Sequence, residues 1–309
     1  MLLRPMDILT QFPVRKRKHQ KQLFRAAVSS YSEKIGYTAT EEKGFFGVRN
    51  LVLGDPKTAK YLVTAHYDTC AGMPFPNLVT PCNVCYYVAY QVLVVLMIGI
   101  AAIICGLCAG LLFGGSAVKF AISAAYFCLL MLIIFGPANR ENANDNTSGI
   151  VTLLEIARTL PENQRHKVCF VLFDLEEAGL LGSSSYRRKH KKETGDQLVI
   201  NLDCVGDGDH LMMFPTKKLR RNRQKITSLY RACGYFGNKS LLVHEKANGI
   251  YPSDQNSFPY GVGICALHKK RKIFYLSRIH TKKDKILEET NVNILRAALT
   301  TFICCDEVN

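Results

Sequence analysis

One stretch constrains this chain more than any other: residues 69–118 carry no charge, and after Lys119 none returns until Arg140. Within that tract, residues 92–113 and 120–135 are almost wholly apolar. A helix that crosses a bilayer needs roughly 20 apolar residues, at about 1.5 Å rise each. The first run meets this with room for tilt. The second is short and borrows residues 117–119, with Lys119 snorkelling to the far interface. Gly114-Gly115-Ser116 breaks the helix between them, so the two spans run antiparallel, about 84–113 and 117–136. Tyr86, Tyr87 and Tyr90 fall where an interfacial aromatic belt belongs. Two buried core helices are the alternative, but a globular core rarely supplies so long an uncharged tract. Gly106 and Gly110 form a GxxxG, which permits close helix approach inside the hairpin or in a homodimer through it.

Charge and cysteine usage place the rest. Lysine and arginine outnumber acids 40 to 25, for a formal charge of +15. Such an excess suits an anionic partner, and beside a hairpin that partner is the lipid surface. The basic runs carry no interleaved aromatic residues of the kind that stack on bases, so nucleic acid is not an expected partner. The flanks of the hairpin are rich in Lys and Arg while its turn offers only Lys119. The positive-inside bias therefore puts the soluble domain and both termini in the cytoplasm. The first twenty residues hold no apolar signal-peptide core. Twelve cysteines without a regular scaffold spacing read as reduced thiols, and the pairs Cys82/Cys85 and Cys105/Cys108 as ordinary cysteines.

Residues 1–69 and 140–309 make one domain interrupted by the insertion at 70–139. Helical spacing marks residues 7–37, broken by Pro13, together with 148–160 and 291–304. Short β-branched runs at 61–65, 168–173 and 198–202, and a weaker one at 263–267, read as buried strands. Alternating strands and helices predict an α/β fold with a mostly parallel mixed sheet flanked by helices. Function then collects beyond the carboxyl ends of the strands.

Polar residues stand at those ends. The 61–65 strand runs into His66-Tyr67-Asp68. Asn144-Asp145-Asn146-Thr147-Ser148-Gly149 opens a helix. The 168–173 strand leads to Asp174-Leu175-Glu176-Glu177, the 198–202 strand to Asp203, and a late segment to Ile279-His280-Thr281. Singly, each is a cap or a surface acid. Together they offer two imidazoles and several carboxylates, a set suited to two hydrolytic divalent metals.

In order, A-H-Y-D-T, N-D-N-T-S-G, D-L-E-E-A-G-L-L-G-S, N-L-D and I-H-T-K-K-D resemble the co-catalytic di-zinc aminopeptidase family, which is related to glutamate carboxypeptidases and glutaminyl cyclases. Ser253-Asp254 followed by Phe258 is similar to a further segment of that family. The resemblance covers nearly everything outside the hairpin, and its combination of motifs is specific. It implies zinc-exopeptidase architecture, a peptide substrate and two divalent metal ions, zinc by preference. Asp145 would bridge the metals, His66 and Asp203 would complete one site, and Glu177 and His280 the other. Asp68 would hold His66 through its second ring nitrogen. Glu176 would be the general base, and Tyr251 a candidate oxyanion donor. The hairpin falls between the His-x-Asp strand and Asp145, a departure from the family pattern.

The expected activity is removal of amino-terminal residues from peptides. A glutaminyl cyclase is the nearest alternative, but its site uses tryptophan and this chain has none. A carboxypeptidase would need an arginine cluster, an alternative that a chain so rich in arginine leaves open, and a non-catalytic membrane scaffold would have no need of five ligands and a base. From residue 135 to Asp145 the chain spans at most about 36 Å, so the site lies near the bilayer.

Overall fold

A computed structural model describes residues 4–246 and 249–305. Its ten strands are β1 (Ala39–Lys43), β2 (Arg49–Leu53), β3 (Tyr61–His66), β4 (Val168–Phe173), β5 (Leu198–Leu202), β6 (His210–Pro215), β7 (Gly234–Phe236), β8 (Lys239–Val243), β9 (Gly261–Lys270) and β10 (Ile273–Tyr275). They form one sheet in the order β1-β2-β4-β3-β5-β9-β6-β8-β7, with β10 paired to β9. The middle, β4-β3-β5-β9, is parallel, whereas β1-β2, β2-β4 and β9-β6 are antiparallel. The fold is therefore the expected mixed α/β sheet flanked by helices.

Every residue of β3, β4 and β5 is buried. Both faces of these strands are covered, which is why they read as near-continuous apolar runs and not as alternations. Val63, Ala65, Phe170, Leu172, Ile200 and Leu202 face the larger core, together with residues of the helices Lys18–Lys34, Gly149–Thr159 and Glu289–Cys304. Leu62, Val171 and Val199 face the smaller one, with Tyr186 and Phe258. The amino-terminal helical stretch is split into Ile8–Gln11 and Lys18–Lys34 around Pro13. The sequence gives no sign of β1, since Ala-Thr-Glu-Glu-Lys on an open edge leaves its residues exposed or half-buried. β9 runs well past the expected 263–267 because its last residues lie outside the core and carry no apolar signal.

Two helices, Val84–Phe113 and Ala117–Phe135, are long and apolar enough to cross a membrane, with mean hydropathy 3.0 and 2.3. Their most apolar windows are only 22% and 0% buried, so neither is enclosed as a core helix would be. Val94, Ile98, Ala102 and Gly106 are buried at helical spacing. A Cβ on Gly106 would come within 2.2 Å of the Ile122 side chain, and one on Gly110 within 2.5 Å of Val118. The GxxxG thus joins the hairpin to itself. A homodimer would have to use another face.

A candidate two-metal centre

β3 ends on His66 and β5 is followed by Asp203. The turn after β4 carries Glu176 and Glu177, and the loop after β10 carries His280. Asp145 lies just ahead of the helix Gly149–Thr159. The sequence dictates this last placement through its neighbours. Asn144 Oδ1 accepts the Gly206 N–H (2.7 Å), Asn146 Oδ1 accepts those of Gly149 (3.0 Å) and Cys204 (3.3 Å), and Ser148 Oγ accepts that of Val205 (3.0 Å). A Cβ at Gly149 would meet the Leu202 carbonyl at 2.3 Å, so only glycine lets the helix start this close to β5. N-D-N-T-S-G is therefore a clamp that fixes Asp145 beside Asp203.

Two sets of donors result. His66 Nε2 lies 3.2 Å from Asp145 Oδ1 and 3.6 Å from Asp203 Oδ1. His280 Nε2 lies 3.0 Å from Asp145 Oδ2 and 3.4 Å from Glu177 Oε2. Donors about 2.0–2.1 Å from a tetrahedral zinc stand about 3.3–3.4 Å from one another, so both sets fit such an ion. Asp145 gives one oxygen to each. Asp203 Oδ1 and Glu177 Oε1 are buried with no hydrogen-bond partner, as oxygens awaiting a cation would be. Cys70 joins the second set, its sulfur and the donors of Asp145, Glu177 and His280 all lying within 4.8 Å of one another. Glu176 groups likewise with His66 and Glu177.

Asp68 differs in detail from the expectation. Its backbone carbonyl lies 3.2 Å from His66 Nδ1 and its carboxylate 3.6 Å away. The carboxylate also accepts the N–H groups of Glu176 (3.0 Å) and Glu177 (3.3 Å), fixing the turn that carries both. Tyr251 lines the same cavity, and its hydroxyl donates to the Asp203 carbonyl at 3.1 Å. To serve an oxyanion it would have to release that bond. Backbone strain gathers here too. Of the six non-glycine residues with positive φ among the described residues, Leu175, Leu180, Cys204 and His280 lie at or beside the site. Each such residue costs of order 1–3 kcal/mol.

Three contributors escaped the sequence reading. Asp284 accepts the N–H groups of Asn144 (2.7 Å) and Asp145 (3.0 Å). Arg15 is fully buried and donates to the Tyr67 carbonyl (2.6 Å), Asn142 and Thr147. Asp254 is buried with neither carboxylate oxygen bonded. Asp284 closes the I-H-T-K-K-D motif and Asp254 follows Ser253, so both stood in quoted segments. Arg15 opens the basic run 15–18, part of the positive excess assigned above to an anionic partner.

The site buries more negative charge than it balances. Burial pushes Glu176 well above the carboxylate range, with Glu177, Asp254 and Asp203 adding to it against His66. Burial raises Glu177 to about 8, and Asp254 and Asp284 to about 7. His280 reaches about 9 because Glu177 and Asp145 outweigh its burial. These acids hold protons in the fold that they lose when unfolded above about pH 4, and folded His280 keeps its proton beyond its ordinary 6.5. Both effects stabilise the cation-free fold at low pH and are lost as pH rises towards about 9. After chelation, Tm should fall by several degrees between about pH 5 and pH 9, and zinc should flatten the profile. A chelated protein with a flat profile would show that the cluster carries no such charge.

The model of peptidase family M28 matches residues 132–302, more than half of the chain. That span holds Asp145, Glu176, Glu177, Asp203 and His280, and leaves out His66 and Asp68. Over 67 residues the chain is 43% identical to aminopeptidase YwaD of Bacillus subtilis (strain 168), a match covering 21% of this chain and 15% of that protein. The match thus takes in a small part of the relative's length. The fold is similar to a glutaminyl cyclase of Porphyromonas gingivalis, with TM-score 0.61 and 16% identity over 97% of this chain and 95% of that one. It is equally similar to a Zn-dependent exopeptidase from Parabacteroides distasonis, with TM-score 0.62 and 15% identity over the same shares. On the family match, this chain belongs to peptidase family M28.

Proposed function

We propose that the chain is a membrane-anchored aminopeptidase that uses two divalent cations, zinc by preference, to hydrolyse the first peptide bond of its substrates. The observation that carries this reading is the sharing of Asp145 between two donor sets of tetrahedral spacing. His66, Asp145 and Asp203 would hold one ion, and Asp145, Glu177 and His280 the other. Three protein donors per ion leave a position open, as hydrolytic sites require. Bound there, the cations would supply charge that lowers the pKa of water and polarises a carbonyl.

The remaining work falls to the chain. Glu176 takes the proton of the attacking water on its carboxylate and passes it to the leaving nitrogen. Burial suits it to this, since it raises the carboxylate's affinity for a proton above that of an exposed glutamate. Asp68 positions Glu176 and Glu177 through their N–H groups. The cavity before the cluster, about 360 Å³, is at the small end of ligand sites. It suits a chain end better than a folded loop.

Elemental analysis of the purified protein should find about two metals per chain, and a screen should show cleavage of peptides with free amino termini and none of blocked ones. At most one metal under replete conditions would count against the reading. The proposed topology places both termini in the cytoplasm, so protease added outside sealed right-side-out vesicles should spare both. Digestion of either would reverse it.

A further inference from the structure

The hairpin does more than hang the domain on a membrane. Tyr87, Tyr90, Gln91 and Val94 of its first helix and Ile133 of its second form a wall of the cavity whose other side carries Asp145, Glu176 and His280. The wall is firmly seated. Met73, on the way into the hairpin, donates its N–H to the carbonyl of His280 (2.7 Å). Gly72 N–H reaches Pro137 O (2.9 Å), Asn139 N–H reaches Cys70 O (3.0 Å), and Val79 and Leu276 exchange both backbone bonds. Tyr87 packs on the cluster that includes Tyr251 and Ile279. The base of the hairpin and the loop of a candidate ligand are thus one structure.

The same helices continue from this wall into lipid-type surface. Leu96 and Ile100 are 57% and 59% exposed, and one turn of helix rises only about 5.4 Å. The cavity therefore stands about one to two turns from side chains that belong among acyl chains. Charge marks the boundary at the same level. Lys16 donates to the carbonyl of Ile134 at the end of the second helix (2.9 Å). Lys16, Arg17 and Arg140 line a hollow of about 890 Å³ on one side of the hairpin base. Arg278, Lys282 and Lys283 line another of about 1070 Å³. Cations at this depth meet anionic headgroups.

We infer that the preferred substrates are peptides whose residues after a free amino terminus are apolar and lie in the bilayer. The terminus enters the cavity at headgroup level, and the following side chains run along Ile133 and Val94 towards the acyl region. This rests on the aminopeptidase reading and adds the source of the substrate. The carboxylates attract the ammonium end, and the hairpin offers the rest of the peptide the surface it already occupies.

The test uses the full chain, zinc-loaded, in nanodiscs containing an anionic lipid. Paired peptides share their first residue and differ only in whether an apolar, membrane-partitioning tail follows. The tailed member should show a kcat/KM at least about tenfold higher. Ile133→Trp, which narrows the apolar end of the cavity, should lower the ratio of tailed to untailed kcat/KM several-fold, whereas simple concentration of peptide in the bilayer would leave the ratio unchanged. In a Glu176→Gln chain, a tailed peptide with a photoreactive second residue should label residues 87–94 or Ile133, as read by mass spectrometry. Equal turnover of the pair, or labelling that avoids the hairpin, overturns the inference. If neither peptide is cleaved by the metal-loaded protein, the aminopeptidase reading fails, and the labelling pattern still decides whether the hairpin wall receives the tail.

Discussion

Glu176→Gln should leave the metal content of the chain intact and lower kcat by about 10²–10⁴, the usual cost of losing a positioned general base. Glu176 belongs to neither pair of donors around Asp145, and its N–H is held by Asp68 at 3.0 Å whatever its side chain. The amide keeps size and shape but cannot accept a proton from water at neutral pH. Glu177→Gln, one residue on, should behave differently. It removes a carboxylate 3.4 Å from His280 Nε2, so metal is lost along with turnover. Steady-state kinetics beside metal analysis separates the two variants. Near-normal turnover by Glu176→Gln would show that another group takes the proton.

Asp145→Asn should have the broader consequence, because its two oxygens face different imidazoles, at 3.2 and 3.0 Å. An amide presents one oxygen and an NH2 group that only donates, so it can complete at most one set, and it brings no charge to either. The metal content should drop from about two per chain to below one, with activity falling to background. The weakening should exceed the about 10–100-fold typical of losing a partner outside the ligand shell. Asp203→Asn should cost only the His66 site. The fold should survive Asp145→Asn, since Asp284 holds the backbone N–H groups of residues 144 and 145 and not the side chain. Isothermal titration with zinc, checked by circular dichroism, measures this. Two tight sites in Asp145→Asn would exclude a bridging role.

Much of this protein was written locally. A long apolar tract without period-two alternation, broken once by Gly114-Gly115-Ser116, reads as two helices, so the helical hairpin was readable from the local sequence. Strands β3, β4 and β5 were readable because each is buried on both faces and cannot tolerate interruption. His66, Glu177 and Asp203 were readable because each ends or follows such a strand, and Asp145 because it stands just ahead of a helix, whereas His280, on the loop after β10, was pointed out by the resemblance to a family.

Tertiary structure decided what depends on neighbours far along the chain. The polar edge strand β1 exists only because β2 is there to pair with it. Gly106 and Gly110 could have served a dimer, and their contacts with Ile122 and Val118 commit them to the hairpin. Arg15 stands in the basic run 15–18, where local sequence suggests surface charge, yet the fold buries it against the Tyr67 carbonyl at 2.6 Å. Asp68 stands 3.6 Å from the His66 imidazole, as its position in the His-x-Asp motif suggests, and the fold gives it a second task in holding the Glu176 turn. The wall that the hairpin lends to the cavity is of the same kind. Tyr87 and Ile133 are separated by most of the insertion, and nothing in either segment encodes their meeting at His280. Periodicity and charge act over a few residues, whereas a site is a coincidence of strand ends, loops and helix faces that only packing brings together.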